Sequence, residues 1–98
     1  MSGCTATAMV FPHDEDNVLY VANAGDARII YNSQDGVKAA TVDHKPSSIA
    51  EKTRIEAAGS FVSVVFGIAR VAGQLAVSRA IGDADYKQFG VTAEPETF

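Results

Sequence analysis

Short runs of strand-forming residues, separated by turn residues, fill the first half of the chain and restrict it to a β-rich fold. The runs cover residues 4–11, 18–23, 27–31 and 37–42. The polar stretch 12–17 and the pair Asp35 and Gly36 have the chemistry of turns. We therefore expect four strands in an antiparallel meander. Small and apolar residues fill the first run, which predicts a strand buried on both faces.

A single helical segment interrupts this strand pattern. Pro46 excludes a strand interior because it lacks a backbone donor. Ser48 and Glu51 have the spacing of a capping box, and Gly59 has the position of a left-handed C-terminal cap, so residues 49–58 are predicted to be helical. Further strands are expected at 61–66, 68–71 and 75–78. The expected fold class is α+β, with antiparallel β-sheets and a flanking helix.

Charge and composition exclude several functional classes. The 98 residues carry Lys+Arg 8 and Asp+Glu 12, a formal net charge of -4, which argues against a basic nucleic-acid-binding surface. A single cysteine excludes an internal disulfide framework and a multi-cysteine zinc site. No apolar run approaches the ~20 residues of a membrane-spanning helix. We expect no nucleic-acid partner, no membrane partner and a cytoplasmic location, with the nucleus as the alternative.

Two glycine–aspartate pairs lie at the ends of predicted strands. Asp26 follows Gly25, and Asp83 follows Gly82. A glycine at a strand end lets other backbone approach closely and places the next carboxylate at the rim of a sheet. Carboxylate oxygens are the ligands that Mg²⁺ and Mn²⁺ prefer, so each aspartate is a candidate metal ligand. The alternative is that both carboxylates accept hydrogen bonds within their turns.

Two arginines lie inside apolar, strand-like stretches, where a guanidinium has to be paired or reach a rim. For Arg70 and Arg79 the two hypotheses are binding of a phosphate or substrate carboxylate, and an internal salt bridge. For Arg79 we favour a salt bridge to Asp26, Asp83 or Asp85.

The histidines and the cysteine are interpreted as structural. His13 lies in the acidic turn and is expected to be solvated. His44, between Asp43 and Lys45, is expected to tether its loop. Cys4 begins an apolar run and is expected to be a small packed thiol.

Five segments of the chain, taken in order, form a recognisable set. They are Gly3-Cys4-Thr5-Ala6, residues 19–28 (LYVANAGDAR), residues 43–46 (DHKP), Glu51 with Arg54 and Ile55, and residues 70–83 (RVAGQLAVSRAIGD). The set resembles the metal-dependent (type 2C) protein serine/threonine phosphatase family. It spans nearly the whole chain, and the stretch from Leu75 to Asp83 is its most specific part.

This resemblance implies a fold and an activity. The family's fold is an αββα four-layer sandwich, in which two antiparallel sheets pack face to face with helices outside. At one end of the sandwich, a pair of Mg²⁺ or Mn²⁺ ions activates a water that attacks phosphoserine or phosphothreonine in a phosphoprotein substrate. By this resemblance, residues 1–98 are the middle portion of a catalytic domain that lacks both ends, and the parent enzyme uses Mg²⁺ or Mn²⁺.

The resemblance also assigns site residues one by one. Asp26 matches a ligand of an additional, weaker metal beside the pair, and Thr5 matches a threonine near that metal. Arg70 lies in the region that leads into the family's flap, which shapes substrate access. The family's other metal ligands lie in Asp-Gly-His, late Asp-Gly and Asp-Asn motifs, which have no counterpart in this sequence. No residue is assigned a catalytic or a cofactor-binding role.

These departures from the family pattern predict how the isolated chain behaves. We expect it to be inactive and to bind Mg²⁺ or Mn²⁺ weakly or not at all. The alternative function is a non-catalytic, pseudophosphatase-like interaction or regulatory module. Because strands that lack neighbours expose unpaired edges, self-association through exposed strand edges is also expected.

Overall fold

The computed structural model describes residues 2–14 and 18–98, which form antiparallel strands, one α-helix and one 3₁₀ helix. The strands are β1 (Gly3–Cys4), β2 (Ala6–Val10), β3 (Tyr20–Ala24), β4 (Ile30–Ser33), β5 (Gly36–Ala39), β6 (Val62–Val65), β7 (Ile68–Val71), β8 (Ile81–Gly82) and β9 (Glu96–Thr97). The α-helix, α1, spans Ile49–Ala57, and the 3₁₀ helix spans Ala84–Phe89. The expected α+β class is confirmed.

The strands form four small antiparallel sheets within the described ranges. The largest has the order β2-β3-β9, with Ala6 opposite Ala24 and Ala22 opposite Thr97. The others are the pairs β1-β8, β4-β5 and β6-β7. The pairs β1-β8 and β3-β9 join segments that are far apart in the sequence, and they set the geometry of the region described below.

The predicted four-stranded meander is wrong. β2 pairs with β3 and β4 pairs with β5, but β3 and β4 belong to different sheets. The first predicted strand breaks at Thr5, because β1 pairs with β8 while β2 pairs with β3. It is also not buried on both faces, since β2 is an edge strand and its Met9 and Val10 are exposed.

β6 and β7 form a tight hairpin at the predicted positions. Its two turn residues, Phe66 and Gly67, have φ values of 50° and 80°, the left-handed pair that matches the twist of a two-residue hairpin. The strand predicted at 75–78 does not form. Leu75 makes only an isolated bridge to Val71 across the next turn.

The N-terminal end of α1 differs from the prediction. Ser48 has the extended backbone of an N-cap, with φ -64° and ψ 140°, but its side chain makes no capping hydrogen bond. The predicted capping box is therefore wrong. Glu51 instead accepts hydrogen bonds from the side chains of Ser78 and Arg79, so its carboxylate is directed away from the helix terminus.

The C-terminal end of α1 agrees with the prediction. Gly59 has a φ of 86°, and its N–H donates to the carbonyl of Glu56 at 3.0 Å. The next N–H, of Ser60, donates to the carbonyl of Ile55 at 3.2 Å, which completes a Schellman motif. No helix in the described part of the chain is long and apolar enough to cross a membrane.

The hydrophobic core lies where α1 meets the β6-β7 hairpin and the 3₁₀ helix. Its centre consists of buried side chains of four residues, Ile55, Val71, Ala80 and Val91. Partly buried apolar residues pack around it: Val62, Leu75, Val77, Tyr86 and Phe89. This core lies in the second half of the chain, and the strand pairs β1-β8 and β3-β9 connect the first half to it.

Candidate functional site

The chain turns sharply after β3 at Gly25 and Asp26, which together are called the Asp26 corner. Gly25 has a φ of 134°, a conformation that residues with a Cβ rarely adopt. A Cβ at Gly25 would also overlap the side chain of Thr5. Glycine is required here for both reasons, and the turn lies next to Thr5, at the break between β1 and β2.

The Asp26 carboxylate is partly exposed and already has a cationic neighbour. Its Oδ2 lies 3.2 Å from Nζ of Lys45, with 33% of the Asp26 side chain and 50% of the Lys45 side chain exposed. A pair this accessible to solvent contributes little to stability. The carboxylate is therefore an accessible oxygen ligand whose present partner is a solvent-exposed ammonium group rather than a buried one.

The backbone behind this carboxylate is fixed by His44. The N–H of Gly25 donates to Nδ1 of His44 at 3.0 Å, and the N–H of His44 donates to the carbonyl of Gly25 at 2.8 Å. His44 is 3% exposed, and its Nε2 lies 3.3 Å from Oε1 of Glu96. These contacts confirm that His44 tethers its loop.

Asn23 forms a second layer of support behind the corner. It is completely buried, and its Nδ2 donates to the carbonyls of Gly25 at 3.2 Å and Val42 at 3.0 Å. Its Oδ1 accepts from the hydroxyl of Thr7 at 2.8 Å. Among the described residues, no buried side-chain polar atom lacks a hydrogen-bond partner, so this polar network is fully satisfied.

The second glycine–aspartate pair, Gly82 and Asp83, approaches the same short segment. Asp83 has a left-handed backbone with φ 48°, and its N–H donates to the carbonyl of Ser2 at 3.0 Å. A Cβ on Gly3 would overlap the Asp83 carboxyl group. Since Thr5 contacts the Asp26 corner, residues 3–5 join both glycine–aspartate pairs in space.

The donor set alone does not form a metal site. Within residues 2–14 and 18–98, no group of three or more histidine, cysteine, aspartate or glutamate side chains could hold a metal ion. Divalent Mg²⁺ and Mn²⁺ require several oxygen ligands, of which Asp26 supplies one. The described residues therefore do not fit a complete cation centre, and the role of Asp26 as a metal ligand remains a prediction.

Arg79 belongs to a buried network around Glu51, here called the Glu51 network, which also includes Arg54 and Ser78. Arg79 Nε and Nη2 donate to the two carboxylate oxygens of Glu51 at 2.9 and 3.0 Å. The predicted partners of Arg79, namely Asp26, Asp83 or Asp85, are therefore wrong. Helix α1 delivers Glu51 to this position, a pairing across 28 residues that local sequence spacing does not reveal.

The Glu51 network strongly favours the ionised form of its carboxyl group. Burial alone would raise the pKa of Glu51, but hydrogen bonds from Arg79, Arg54 and Ser78 outweigh it and hold that pKa at about 2. The pKa of the Arg79 guanidinium is raised, mainly by its hydrogen bond to Glu51. This arrangement joins α1 to the segment before β8 and has the character of a structural ion pair.

The remaining candidate residues lie at different places. Thr5 packs against Gly25 of the Asp26 corner, and its predicted place near a metal stays a prediction. Arg70 lies on β7, in a separate sheet, where its Nη1 donates to the carbonyl of Gln74 at 2.9 Å. Its predicted role near a substrate stays a prediction. Cys4 is exposed, so the expectation of a packed thiol is wrong, because β1 is a two-residue edge strand.

Two polar residues at this site were not predicted to take part in it. Asn23 was placed in a strand and Lys45 in a loop, and neither was assigned a contact with the Asp26 corner. An asparagine two residues before a glycine is a signal for a side-chain bond to the turn backbone. For Lys45 no such signal exists, because its pairing with Asp26 depends on how two loops meet.

Comparison with known proteins gives one consistent family. The family model described as "Protein phosphatase 2C" matches residues 1–98. Protein phosphatase 2C homolog 3 of Schizosaccharomyces pombe is 52% identical over 95 residues, which cover 97% of this chain and 21% of the relative. Probable protein phosphatase 2C 25 of Arabidopsis thaliana is 47% identical, over 96% of this chain and 22% of the relative. The chain thus spans about a fifth of the length of these relatives.

Solved structures agree with the sequence comparison. A phosphatase from a pathogenic strain of Toxoplasma gondii superposes with a TM-score of 0.71 and 37% identity, over 81% of this chain and 26% of that one. A C. elegans sex determining protein superposes with a TM-score of 0.74 and 33% identity, over 82% of this chain and 19% of that one. The strands and helix described above are therefore arranged as in those larger proteins.

Proposed function

The chain belongs to the protein phosphatase 2C family, and we propose that it supplies the scaffold and one metal ligand, Asp26, of a Mg²⁺- or Mn²⁺-dependent protein serine/threonine phosphatase. The observation that carries this proposal is the Asp26 corner. There, a partly exposed carboxylate follows a buried glycine, Gly25, whose backbone N–H and carbonyl are both hydrogen-bonded. Hard divalent cations prefer such oxygen ligands, and rigid support reduces the entropy lost when a ligand is fixed.

The proposed reaction is hydrolysis of phosphoserine and phosphothreonine esters in phosphoproteins. In it, Asp26 has the role of an oxygen ligand, and Thr5 shapes the backbone beside it through its contact with Gly25. Arg70 is assigned to the flap region, where its guanidinium is suited to a phosphate or a carboxylate. No residue of this chain is proposed to bond covalently to the substrate.

The isolated chain is expected to be inactive. Three or more metal-ligating side chains never meet in the described ranges, so these residues cannot hold a pair of ions on their own. We predict that the purified chain shows no Mn²⁺-dependent release of phosphate from a phosphothreonine peptide. Turnover that requires Mn²⁺ and disappears in Asp26→Ala would contradict this prediction.

A second candidate function rests on the same observation. With a single carboxylate at the corner, the chain also fits a non-catalytic interaction module that binds a protein without hydrolysing it. The two functions differ in what happens when the rest of the domain is supplied, because only an enzyme segment restores turnover.

A chimera separates these two functions. Residues 1–98 replace the matching segment of the S. pombe homolog 3, to which the chain is 52% identical. We predict Mg²⁺- or Mn²⁺-dependent hydrolysis of a phosphothreonine peptide by the chimera. In it, Asp26→Asn should raise the required Mn²⁺ concentration at least about tenfold, the order of effect seen when support of a metal ligand is lost.

The matched control is Asp35→Asn, which removes an exposed carboxylate from the turn between β4 and β5. It should leave the Mn²⁺ requirement unchanged. A folded but inactive chimera would favour the interaction module, and equal behaviour of the Asp26 and Asp35 variants would show that Asp26 is not a ligand.

A further inference from the structure

The ring of His44 lies directly behind the Asp26 corner and is almost completely buried. We infer that His44 is a positioning residue for Asp26, because its Nδ1 fixes the backbone of Gly25 and thereby the direction of the Asp26 carboxylate. The hydrogen bonds stand independently of any activity. The consequence for metal binding rests on the proposed function.

Both polar groups of the Gly25 backbone are bound by the same loop residue. Its N–H donates to Nδ1 of His44, and its carbonyl accepts from the His44 amide. Glycine enters and leaves many conformations freely because it has no Cβ. The two hydrogen bonds remove that freedom at the residue that immediately precedes Asp26.

This geometry also assigns the tautomer of the ring. Since Nδ1 accepts a hydrogen bond from Gly25, the neutral imidazole carries its proton on Nε2. Nε2 then donates to Oε1 of Glu96, 3.3 Å away on β9. The imidazole therefore connects the Asp26 corner to the third strand of the β2-β3-β9 sheet.

Filling of space alone does not account for His44. An apolar side chain of similar size would leave the N–H of Gly25 buried without an acceptor, which is destabilising. Asn23 already donates to the carbonyl of Gly25 and cannot accept from its N–H through the same amide nitrogen. The acceptor at the Nδ1 position is thus the specific contribution of His44.

Two substitutions that keep different halves of the imidazole test this inference. Asparagine places an acceptor near the position of Nδ1, whereas glutamine reaches the position of Nε2. In the full 98-residue chain, His44→Asn should keep the slow amide exchange of Gly25 and the amide chemical shift of Asp26. In His44→Gln, the amide exchange of Gly25 should be about tenfold faster than any loss of global stability accounts for. The amide resonance of Asp26 should also shift.

Ser78→Ala is the matched control, because Ser78 is also completely buried and polar but donates to Glu51. It should lower global stability without any further change in the amide exchange of Gly25.

The tautomer is measured directly. The long-range ¹H–¹⁵N spectrum of wild-type His44 should show a protonated Nε2 and an unprotonated Nδ1. A protonated Nδ1, or equal Gly25 exchange in His44→Asn and His44→Gln, would overturn the inference.

Addition of Mn²⁺ alone distinguishes this inference from the proposed function. Paramagnetic broadening centred on the Asp26 amide, and weaker in His44→Gln than in His44→Asn, would support both. If the Gly25 exchange pattern is as expected but Mn²⁺ never broadens Asp26 and Asp26→Asn leaves the Mn²⁺ requirement of the chimera unchanged, the positioning of the corner stands and the metal-ligand role of Asp26 is wrong. If broadening is equal in both variants, His44 does not position the ligand.

Discussion

At the scale of single residues, the Asp26 corner requires glycine for two separate reasons. Gly25 combines a φ of 134° with direct contact to Thr5, whereas Gly36 has a φ of 105° but open space where a Cβ would lie. A Cβ at Gly36 would meet backbone strain alone, whereas a Cβ at Gly25 would meet backbone strain and crowding. Comparing the two positions therefore separates these effects.

We predict that Gly25→Ala lowers the free energy of unfolding by about 3 kcal/mol, as the sum of an unfavourable backbone conformation and an overlap with Thr5. Gly36→Ala should cost only about 1 kcal/mol, because strain acts there without crowding. Urea denaturation followed by circular dichroism measures both values. Equal losses in the two variants would mean that the contact between Gly25 and Thr5 does not matter.

The residue scale also shows what sequence can and cannot predict about the site. Asp26 was predicted as a candidate metal ligand from the Gly-Asp pair at a strand end, and His44 was predicted only to tether its loop. The contact of Lys45 with Asp26 was not, because it depends on the meeting of two loops 19 residues apart. Local spacing predicts turn chemistry, but it does not predict which turns meet.

At the scale of elements, α1 shows how a nonlocal contact overrides a local signal. Its C-terminal end followed the prediction because the left-handed Gly59 is a property of the adjacent backbone. Its N-terminal end did not, because the Glu51 carboxylate accepts hydrogen bonds from Arg79, Arg54 and Ser78 instead of capping its own helix. The meander failed for the same reason, since β3 pairs with the distant β9.

The Glu51 network predicts a specific loss of stability in acid. The pKa of Glu51 is about 2 in the folded chain and 4.5 ordinarily, so the unfolded chain binds more protons between these values. Its contribution, about 3 kcal/mol, is fully present above pH ~4.5 and is lost as the pH falls towards about 2. Urea denaturation at several pH values between 6 and 2.5 measures this slope.

Glu51→Gln should flatten that slope and lower stability at pH 6, because a neutral amide has one acceptor oxygen instead of two and no negative charge to attract the two arginines. Glu56→Gln is the control on the same helix, since Glu56 is exposed and only loosely paired with Lys52 at 3.9 Å. If the steep acid slope persists in Glu51→Gln but disappears in Glu56→Gln, the loss of stability in acid is due to Glu56 and the prediction for Glu51 is wrong.

At the scale of the whole molecule, the chain is more open than a compact protein of its size. Its radius of gyration is 15.2 Å, against about 13 Å for a compact domain of 100 residues. Its accessible surface is 6291 Å², against about 5,400 Å² for a monomer of this mass. Much of the excess is apolar, because Val10, Phe11, Val37, Val64 and Phe66 are all more than half exposed.

Part of this exposed apolar surface lies on the β2-β3-β9 sheet, in which β2 is an edge strand. An apolar groove of about 190 Å³ extends across this sheet, lined by Ala8, Val10, Tyr20, Val21, Ala22, Thr97 and Phe98. An exposed edge strand beside an apolar groove favours pairing with another chain. We therefore predict concentration-dependent self-association, measured by sedimentation velocity.

Val10→Lys should shift the chain towards monomer, because a charge on an edge strand opposes pairing with a second edge and disfavours burial of the groove. Ile49→Lys is the control, since Ile49 is 87% exposed on α1 rather than on a sheet edge. If both variants associate as the wild-type chain does, the contact lies on another surface, such as the exposed β4-β5 hairpin. If the wild-type chain is monomeric at all concentrations, open edges and apolar surface of this size are compatible with a stable single chain.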